Sequence, residues 1–260
     1  MPSLLRRLPA GRRAARLTSR EAFRVLRSNL IVAISDLQNP VVVVTSAYAH
    51  EGKTAVCANL AESLATAGPR VVLVDLDLRD PEAHKCFGAS NEAGVSDVLL
   101  GRRRLEDCLQ YVDLPAPDDA GPAGLYFLAA GTPVTNPTEL LATPRTGQLL
   151  ESLAAQADIV LLDTPPVLPV ADTLEIGRLA AGAVLVVEAR RTPAPIARRA
   201  KDALTRNQTR LLGVVLNKFQ PKDADEVLAD GGGPHSGFGY GLAERNGLST
   251  NGHARTNGHS

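Results

Sequence analysis

Val41-Val-Val-Val-Thr-Ser-Ala-Tyr-Ala-His-Glu-Gly-Lys-Thr54 is the stretch on which the reading of this chain turns. A short β-branched run, suited to a buried strand, breaks into a turn that ends Gly52-Lys53-Thr54, and a helical pattern follows. Strand, turn and helix in that order make a phosphate-binding loop. Backbone N–H groups of residues 50 to 54 converge on an anion in such a loop, and the helix N-terminus adds its partial positive charge. Lys53 is then placed to reach β- and γ-phosphates, and the Thr54 hydroxyl to ligate Mg²⁺. The full pattern G-x-x-x-x-G-K-[ST] asks for glycine at position 47, where this chain carries Ala47.

Gly-Lys-Thr triplets also arise by chance, so the loop needs support from elsewhere. Arg70-Val-Val-Leu-Val-Asp-Leu-Asp-Leu-Arg79 reads as a buried strand delivering Asp75 and Asp77 at its carboxyl end, where α/β sheets hold their ligands. Ile159-Val-Leu-Leu-Asp163-Thr-Pro-Pro166 is another apolar strand ending in a carboxylate, as a Walker B element does. Together these predict a metal-nucleotide site at the ends of three strands.

Working outward, Thr18-Ser-Arg-Glu21 reads as a capping box, and Phe23, Leu26, Leu30, Ile31 and Ile34 recur at helical spacing after it. Beyond the loop, strands and helices alternate: helix Lys53 to Ala67, strand Arg70 to Leu76, then an irregular region to about Gly124. The pattern resumes with strand Leu125 to Ala129, helix Arg145 to Ala157, strand Ile159 to Asp163, helix Ala171 to Ala180, strand Ala183 to Ala189, helix Ala194 to Arg206 and strand Leu211 to Asn217. Near-continuous apolar strands alternating with helices predict an α/β fold, a mostly parallel sheet with helices on both faces. Residues 1–17 form a basic flexible segment, 18–221 the P-loop domain, and 222–260 a glycine-rich tail too poor in apolar residues to order itself.

Composition removes several function classes. Lys and Arg number 28 and so do Asp and Glu, so no net charge calls for nucleic acid. Arg6, Arg7, Arg12, Arg13, Arg16 and Arg20 crowd the start without the apolar core of a secretory signal; they fit a solvated tail, or contact with an anionic membrane surface or an acidic partner. Cys57, Cys86 and Cys108 are scattered and fit reduced thiols in a cytosolic protein. The five histidines lack zinc-ligand spacing, and the apolar run around Ala183 to Val187 is far shorter than a bilayer span. Any membrane association would be borrowed from a partner.

Ser46-Ala47 with Glu51-Gly52-Lys53-Thr54, Asn59-Leu60-Ala61, Asp75-Leu-Asp-Leu-Arg79-Asp-Pro81, Asn136-Pro137 with Glu139-Leu140-Leu141, Asp163-Thr-Pro-Pro166 and Leu212-Gly-Val-Val-Leu-Asn217 closely resemble the bacterial tyrosine autokinases of capsule and exopolysaccharide synthesis, from about Arg20 to Phe219. The Asp-Leu-Asp-Leu-Arg-x-Pro element, and the missing signature lysine early in the loop, set the chain apart from the related MinD/ParA partitioning ATPases within the same P-loop NTPase subgroup. The resemblance implies a cytoplasmic kinase that uses ATP and Mg²⁺ to phosphorylate tyrosines in the tail of a neighbouring subunit. It implies that Ala49, His50, Glu51, Gly52, Lys53, Thr54 and Ala55 bind phosphates, that Thr54, Asp77 and Asp163 hold the metal or its water, that Asp75 takes the phenol proton, and that Asn217 contacts adenine. Positioning and charge neutralisation do most of the work in phosphoryl transfer, so this set is chemically sufficient. Glu21, Arg24 and Arg27 reproduce an E-x-x-R-x-x-R pattern through which such kinases form homo-oligomeric rings; the same residues also suit a solvated helix face. With no transmembrane hairpin, the chain resembles the stand-alone type, which works with a membrane-embedded chain-length-determinant activator that recruits it to the inner face of the cell membrane, and which has sugar-metabolism proteins as possible further substrates.

Two departures stand out. Ala49-His50 replaces the usual Pro-Gly, which puts a side chain where glycine eases the loop; histidine tolerates left-handed backbone better than bulky residues do. The tail carries one tyrosine, Tyr240, with Phe238 where a further hydroxyl would stand, while Tyr48, Tyr111 and Tyr126 read as packing or loop residues. Two functions follow: an autokinase acting in trans on Tyr240, or an ATP-binding regulatory module of a polysaccharide co-polymerase complex with little kinase activity.

Overall fold

Four consecutive buried β-branched residues, Val41 to Val44, form an inner strand of the sheet because neither face of it meets water. The computed structural model describes residues 10–37, 40–115 and 123–219, with side chains from Ser19 onward. In chain order its elements are α1 (Ala10–Ala33), β1 (Val41–Ser46), α2 (Lys53–Ala65), β2 (Val71–Asp75), the short helices α3 (Ala83–Phe87), α4 (Val95–Leu99) and α5 (Leu105–Cys108), then β3 (Leu109–Leu114) and β4 (Ala123–Leu128). There follow α6 (Pro137–Leu141), α7 (Pro144–Ala154), β5 (Ile159–Asp163), α8 (Asp172–Gly177), β6 (Gly182–Glu188), α9 (Ala194–Arg206) and β7 (Leu211–Asn217).

The strands lie in the order β3-β4-β2-β5-β1-β6-β7, every neighbouring pair parallel except β3 and β4. Side-chain alternation along β1 divides the core. Val42 and Val44 join Leu60, Leu64, Leu30 of α1 and Ile34 just past its end on one face, while Val41 and Val43 join Leu149, Leu153, Ile176 and Leu204 on the other. Helices therefore cover both faces, as the alternating pattern predicts. Each fully buried valine contributes about 1.5–3 kcal/mol relative to exposure, so the strand carrying the loop is among the most firmly anchored parts of the molecule.

The helices read as 145–157 and 171–180 are shorter, at 144–154 and 172–177, α6 was not foreseen, and three further features differ from the sequence reading. First, α1 starts at Ala10, so the capping box at Thr18 lies inside a helix. Second, the region taken as irregular up to Gly124 holds three short helices and the antiparallel edge strand β3. Leu109-Gln-Tyr-Val-Asp-Leu114 is only half-buried, and its weak alternation hides beside the stronger parallel strands. Third, α2 stops at Ala65 rather than Ala67: the Thr66 hydroxyl donates to the Glu62 carbonyl at 2.8 Å, and Gly68 follows with φ 114°. The glycine-rich segment 222–260, with Tyr240, and the first nine residues lie outside the described residues. Among the described residues no helix is long and apolar enough to cross a membrane.

Candidate active site

The loop between β1 and α2 is held from behind. Gly52 adopts φ 90°, and a Cβ there would fall 2.2 Å from Asn217 Nδ2, so both conformation and space demand glycine. His50 is left-handed at φ 66°, the conformation foreseen for its position. Its carbonyl accepts from Lys218 Nζ at 2.9 Å, and Lys218 also donates to Glu188 Oε2 at 2.9 Å. The Asn217 amide donates to the Glu51 carbonyl at 2.8 Å. The Glu51 side chain is buried: it accepts from the Tyr48 N–H at 2.8 Å and from the Thr192 hydroxyl. Glu51 thus fixes the loop through its carboxylate and offers only its backbone to a ligand. Ala47, where the pattern asks for glycine, is fully buried in the core.

Strand register sets the charges. Asp75 and Asp163 are paired positions on neighbouring parallel strands, both fully buried at the strand ends. Asp75 accepts from the Asp77 and Ala83 N–H groups at 3.2 and 3.1 Å. Burial, and then the Asp163 charge, push its carboxyl up to about 8. Burial likewise pushes Asp163 to about 6, against the pull of the Lys53 charge and the Thr54 hydroxyl. Thr54 comes near Asp163, yet neither carboxylate oxygen has a well-formed hydrogen bond. Lys53 Nζ lies 2.9 Å from Asp77 Oδ2 and 3.2 Å from Thr54 Oγ1. Burial works against the lysine charge, but Asp163, Asp77 and Asp75 outweigh it and its pKa rises above 10.5.

Lys53, Thr54 and Asp77 face a cleft of about 450 Å³ that is also lined by Ala49, His50, Gly52 and Ala55, with Pro165 and Pro166 from the turn after β5. That volume falls within the usual range for small-molecule sites. Asp75 and Asp163 sit beneath it, and Asn217 braces its loop. The buried, unbonded oxygens of Asp163, beside Thr54 and Asp77, form an all-oxygen donor set that fits a hard cation such as Mg²⁺. Among the described residues no three metal-ligating side chains make a complete cage, which is consistent with an ion that keeps water and shares phosphate oxygens.

Several working residues escape a sequence reading. Arg79 Nε donates to the fully buried Asp172 at 2.8 Å and its Nη2 to Thr138 Oγ1 at 2.9 Å, joining the turn after β2 to α6 and α8. Asp172 lies 93 residues from Arg79 and has no local signature. Lys218 follows Asn217 directly, and that adjacency was the one available signal for it. Glu21 and Arg24 pair on an exposed face of α1 at 3.2 Å, whereas Arg27 turns inward and donates to the Ser63 carbonyl of α2 at 2.8 Å. Tyr48, Tyr111 and Tyr126 remain exposed, although Tyr111 and Tyr126 pack edge to face across β3 and β4.

A family model described as an AAA domain matches residues 41–192. The tyrosine-protein kinase YwqD of Bacillus subtilis is 36% identical over 76% of this chain and 80% of its own length. The putative tyrosine-protein kinase EpsB of Ralstonia solanacearum is 38% identical over 77% of this chain, which spans 26% of EpsB. The kinase domain of the Escherichia coli tyrosine kinase ETK superposes with a TM-score of 0.70 at 31% identity, covering 77% of each chain. With the loop, the paired carboxylates and the strand order in place, this likeness is more than a shared fold: the chain belongs to the bacterial tyrosine-protein kinase family.

Proposed function

We propose that the chain binds Mg²⁺-ATP in the cleft and transfers the γ-phosphoryl group to a tyrosine of another copy, Tyr240 being the acceptor its tail offers. The observation that carries this is the convergence of Lys53, Thr54 and Asp77 above the buried, unbonded Asp163. On this reading the loop N–H groups of residues 49–55 cradle the phosphates. Lys53, now paired with Asp77, would bind the β- and γ-phosphates, and Thr54, Asp77 and Asp163 would hold Mg²⁺, which supplies charge neutralisation when bound. The phenol oxygen forms the new bond to phosphorus as the bond to ADP breaks. Asp75, with a pKa near 8, has the proton affinity to accept the phenolic hydrogen. Its cover of Asp77 and Ala83 backbone has to part for it to do so. Asn217 would contact the adenine.

By the same reading the activity serves capsule or exopolysaccharide assembly at the inner face of the membrane, beside a membrane-embedded chain-length-determinant activator. Intact-mass and peptide mass spectrometry after incubation with Mg²⁺-ATP tests the proposal. Phosphate on Tyr240 in wild type and none in Lys53→Met is the expected result. ATP binding with no phosphotyrosine, even beside the co-expressed activator, would establish the second reading, a nucleotide-controlled regulatory module, which the single tail tyrosine favours.

A further inference from the structure

Two neighbouring residues at the exit of β7 hold two neighbouring carbonyls of the phosphate loop. Asn217 Nδ2 donates to the Glu51 carbonyl at 2.8 Å, and Lys218 Nζ donates to the His50 carbonyl at 2.9 Å. A trans peptide points its C=O and N–H in opposite directions, so a carbonyl held toward β7 turns the N–H of the following residue away from it. The Glu51 and Gly52 N–H groups are thereby fixed on the side of the cleft that His50 and Gly52 line. Among the described residues neither has a hydrogen-bond partner. They are two aimed and unused donors, the arrangement that binds an anion.

We infer that Lys218 is a positioning residue for the nucleotide phosphates, acting through the Glu51 N–H. The inference rests on the nucleotide reading of the cleft and extends it to a side chain behind the loop. The need for such a clamp comes from His50. It is left-handed at φ 66°, a conformation that costs a residue with a side chain more than it costs glycine and that persists only where the surroundings hold it. Lys218 supplies that hold: among the described residues its ammonium is the one partner of the His50 carbonyl. The lysine is oriented in turn. Glu188 Oε2, at the end of β6, accepts from Nζ at 2.9 Å and also meets Arg191 at 3.6 Å. Glu188 takes up much of the lysine charge, so what reaches the loop is chiefly a directed hydrogen bond. Without it the peptide between His50 and Glu51 is free to rotate, and its N–H no longer waits for a phosphate oxygen.

Competition against a fluorescent ATP analogue with Mg²⁺ and the full-length chain tests this. Wild type and Lys218→Met are compared for ATP, for inorganic pyrophosphate, which fills the loop without a base, and for adenosine, which has a base and no phosphate. The expected result is a dissociation constant raised about tenfold for ATP and for pyrophosphate, with adenosine changed less than about twofold. An equal loss for adenosine would place Lys218 at the base or in the general fold and overturn the clamp, as would ATP and pyrophosphate constants that do not move. The ratio of wild type to variant should also hold from low to high salt, because a hydrogen bond is local where a bare charge is screened; a ratio that collapses in salt would reduce Lys218 to a diffuse charge and overturn the inference. If Lys218→Met fails to fold, Lys218→Gln, whose shorter side chain ends before the His50 carbonyl, takes its place. Wild type that binds ATP and pyrophosphate yet phosphorylates no tyrosine would end the kinase reading alone and leave the clamp to the same comparison. Wild type that binds neither would end both.

Discussion

A left-handed histidine in a phosphate loop carries a conformational cost of about 1–2 kcal/mol that glycine would not. Glycine in turn costs more entropy on folding, so the two effects nearly offset each other. Because the His50 carbonyl is already fixed by Lys218, His50→Gly is expected to change the ATP dissociation constant less than about fivefold, with the melting temperature moving no more than about 4 °C. A large gain in affinity, read by calorimetry, would mean the native loop is strained against its ligand. Asp75 makes a sharper forecast. Its carboxyl titrates near 8 when folded and near 3.9 when unfolded, so between those values the folded state binds more protons and stability falls as pH rises. Asp163 adds to the fall only up to about 6, and the neighbouring Lys53 and Asp77 form an ion pair. The nucleotide-free protein should thus melt lower at pH 8 than at pH 6, and Asp75→Asn should flatten that slope in scanning calorimetry. A level wild-type profile would contradict the burial argument. Lys53, Thr54, Asp75, Asp77 and Asp163 were legible in the sequence because each lies at a helix start, at a strand end or just past one, within a recognisable motif. Glu51 and Asn217 were legible as positions but not as loop braces, since their bonds depend on which way a side chain turns.

Secondary elements were readable to the degree that they were buried on both faces. The inner strands β1, β2, β5 and β6 announce themselves as unbroken apolar runs, whereas β3 has one neighbour, a half-wet face and a polar residue at every break in its pattern. The helix α1 was legible from Phe23 to its end, where its stripe meets the core, and not in its first turns, where no such stripe guides the eye. How α1 attaches could not be read at all. Arg27 grips the Ser63 carbonyl and the Ser63 hydroxyl donates to the Phe23 carbonyl at 3.3 Å, so α1 is tied to the helix that begins with Lys53. Arg27→Ala is expected to cost about 1 kcal/mol, lowering the melting temperature by about 2–4 °C, and to speed amide exchange along residues 19–33. Unchanged exchange there would assign Arg27 to contacts outside its own chain.

For the molecule as an assembly, the outward pair Glu21 and Arg24 is the part of the E-x-x-R-x-x-R pattern left to face another copy. An exposed pair of this kind contributes less than about 1 kcal/mol to its own chain, so the double variant Glu21→Ala with Arg24→Ala should melt like wild type. If the ring forms through this face, sedimentation will show the variant as a smaller species than wild type at equal concentration; equal masses would remove the face from assembly. The end of β7 has a separate consequence. Asn217 is bonded through its carbonyl to the Ala189 N–H at 2.9 Å and through its side chain to Glu51, and Lys218 holds His50. The chain thus leaves Phe219 mechanically in series with the phosphate loop. Tension applied there would be shared between the sheet and the two bonds that shape that loop, so a pull on the end of β7 would be felt at the phosphate loop.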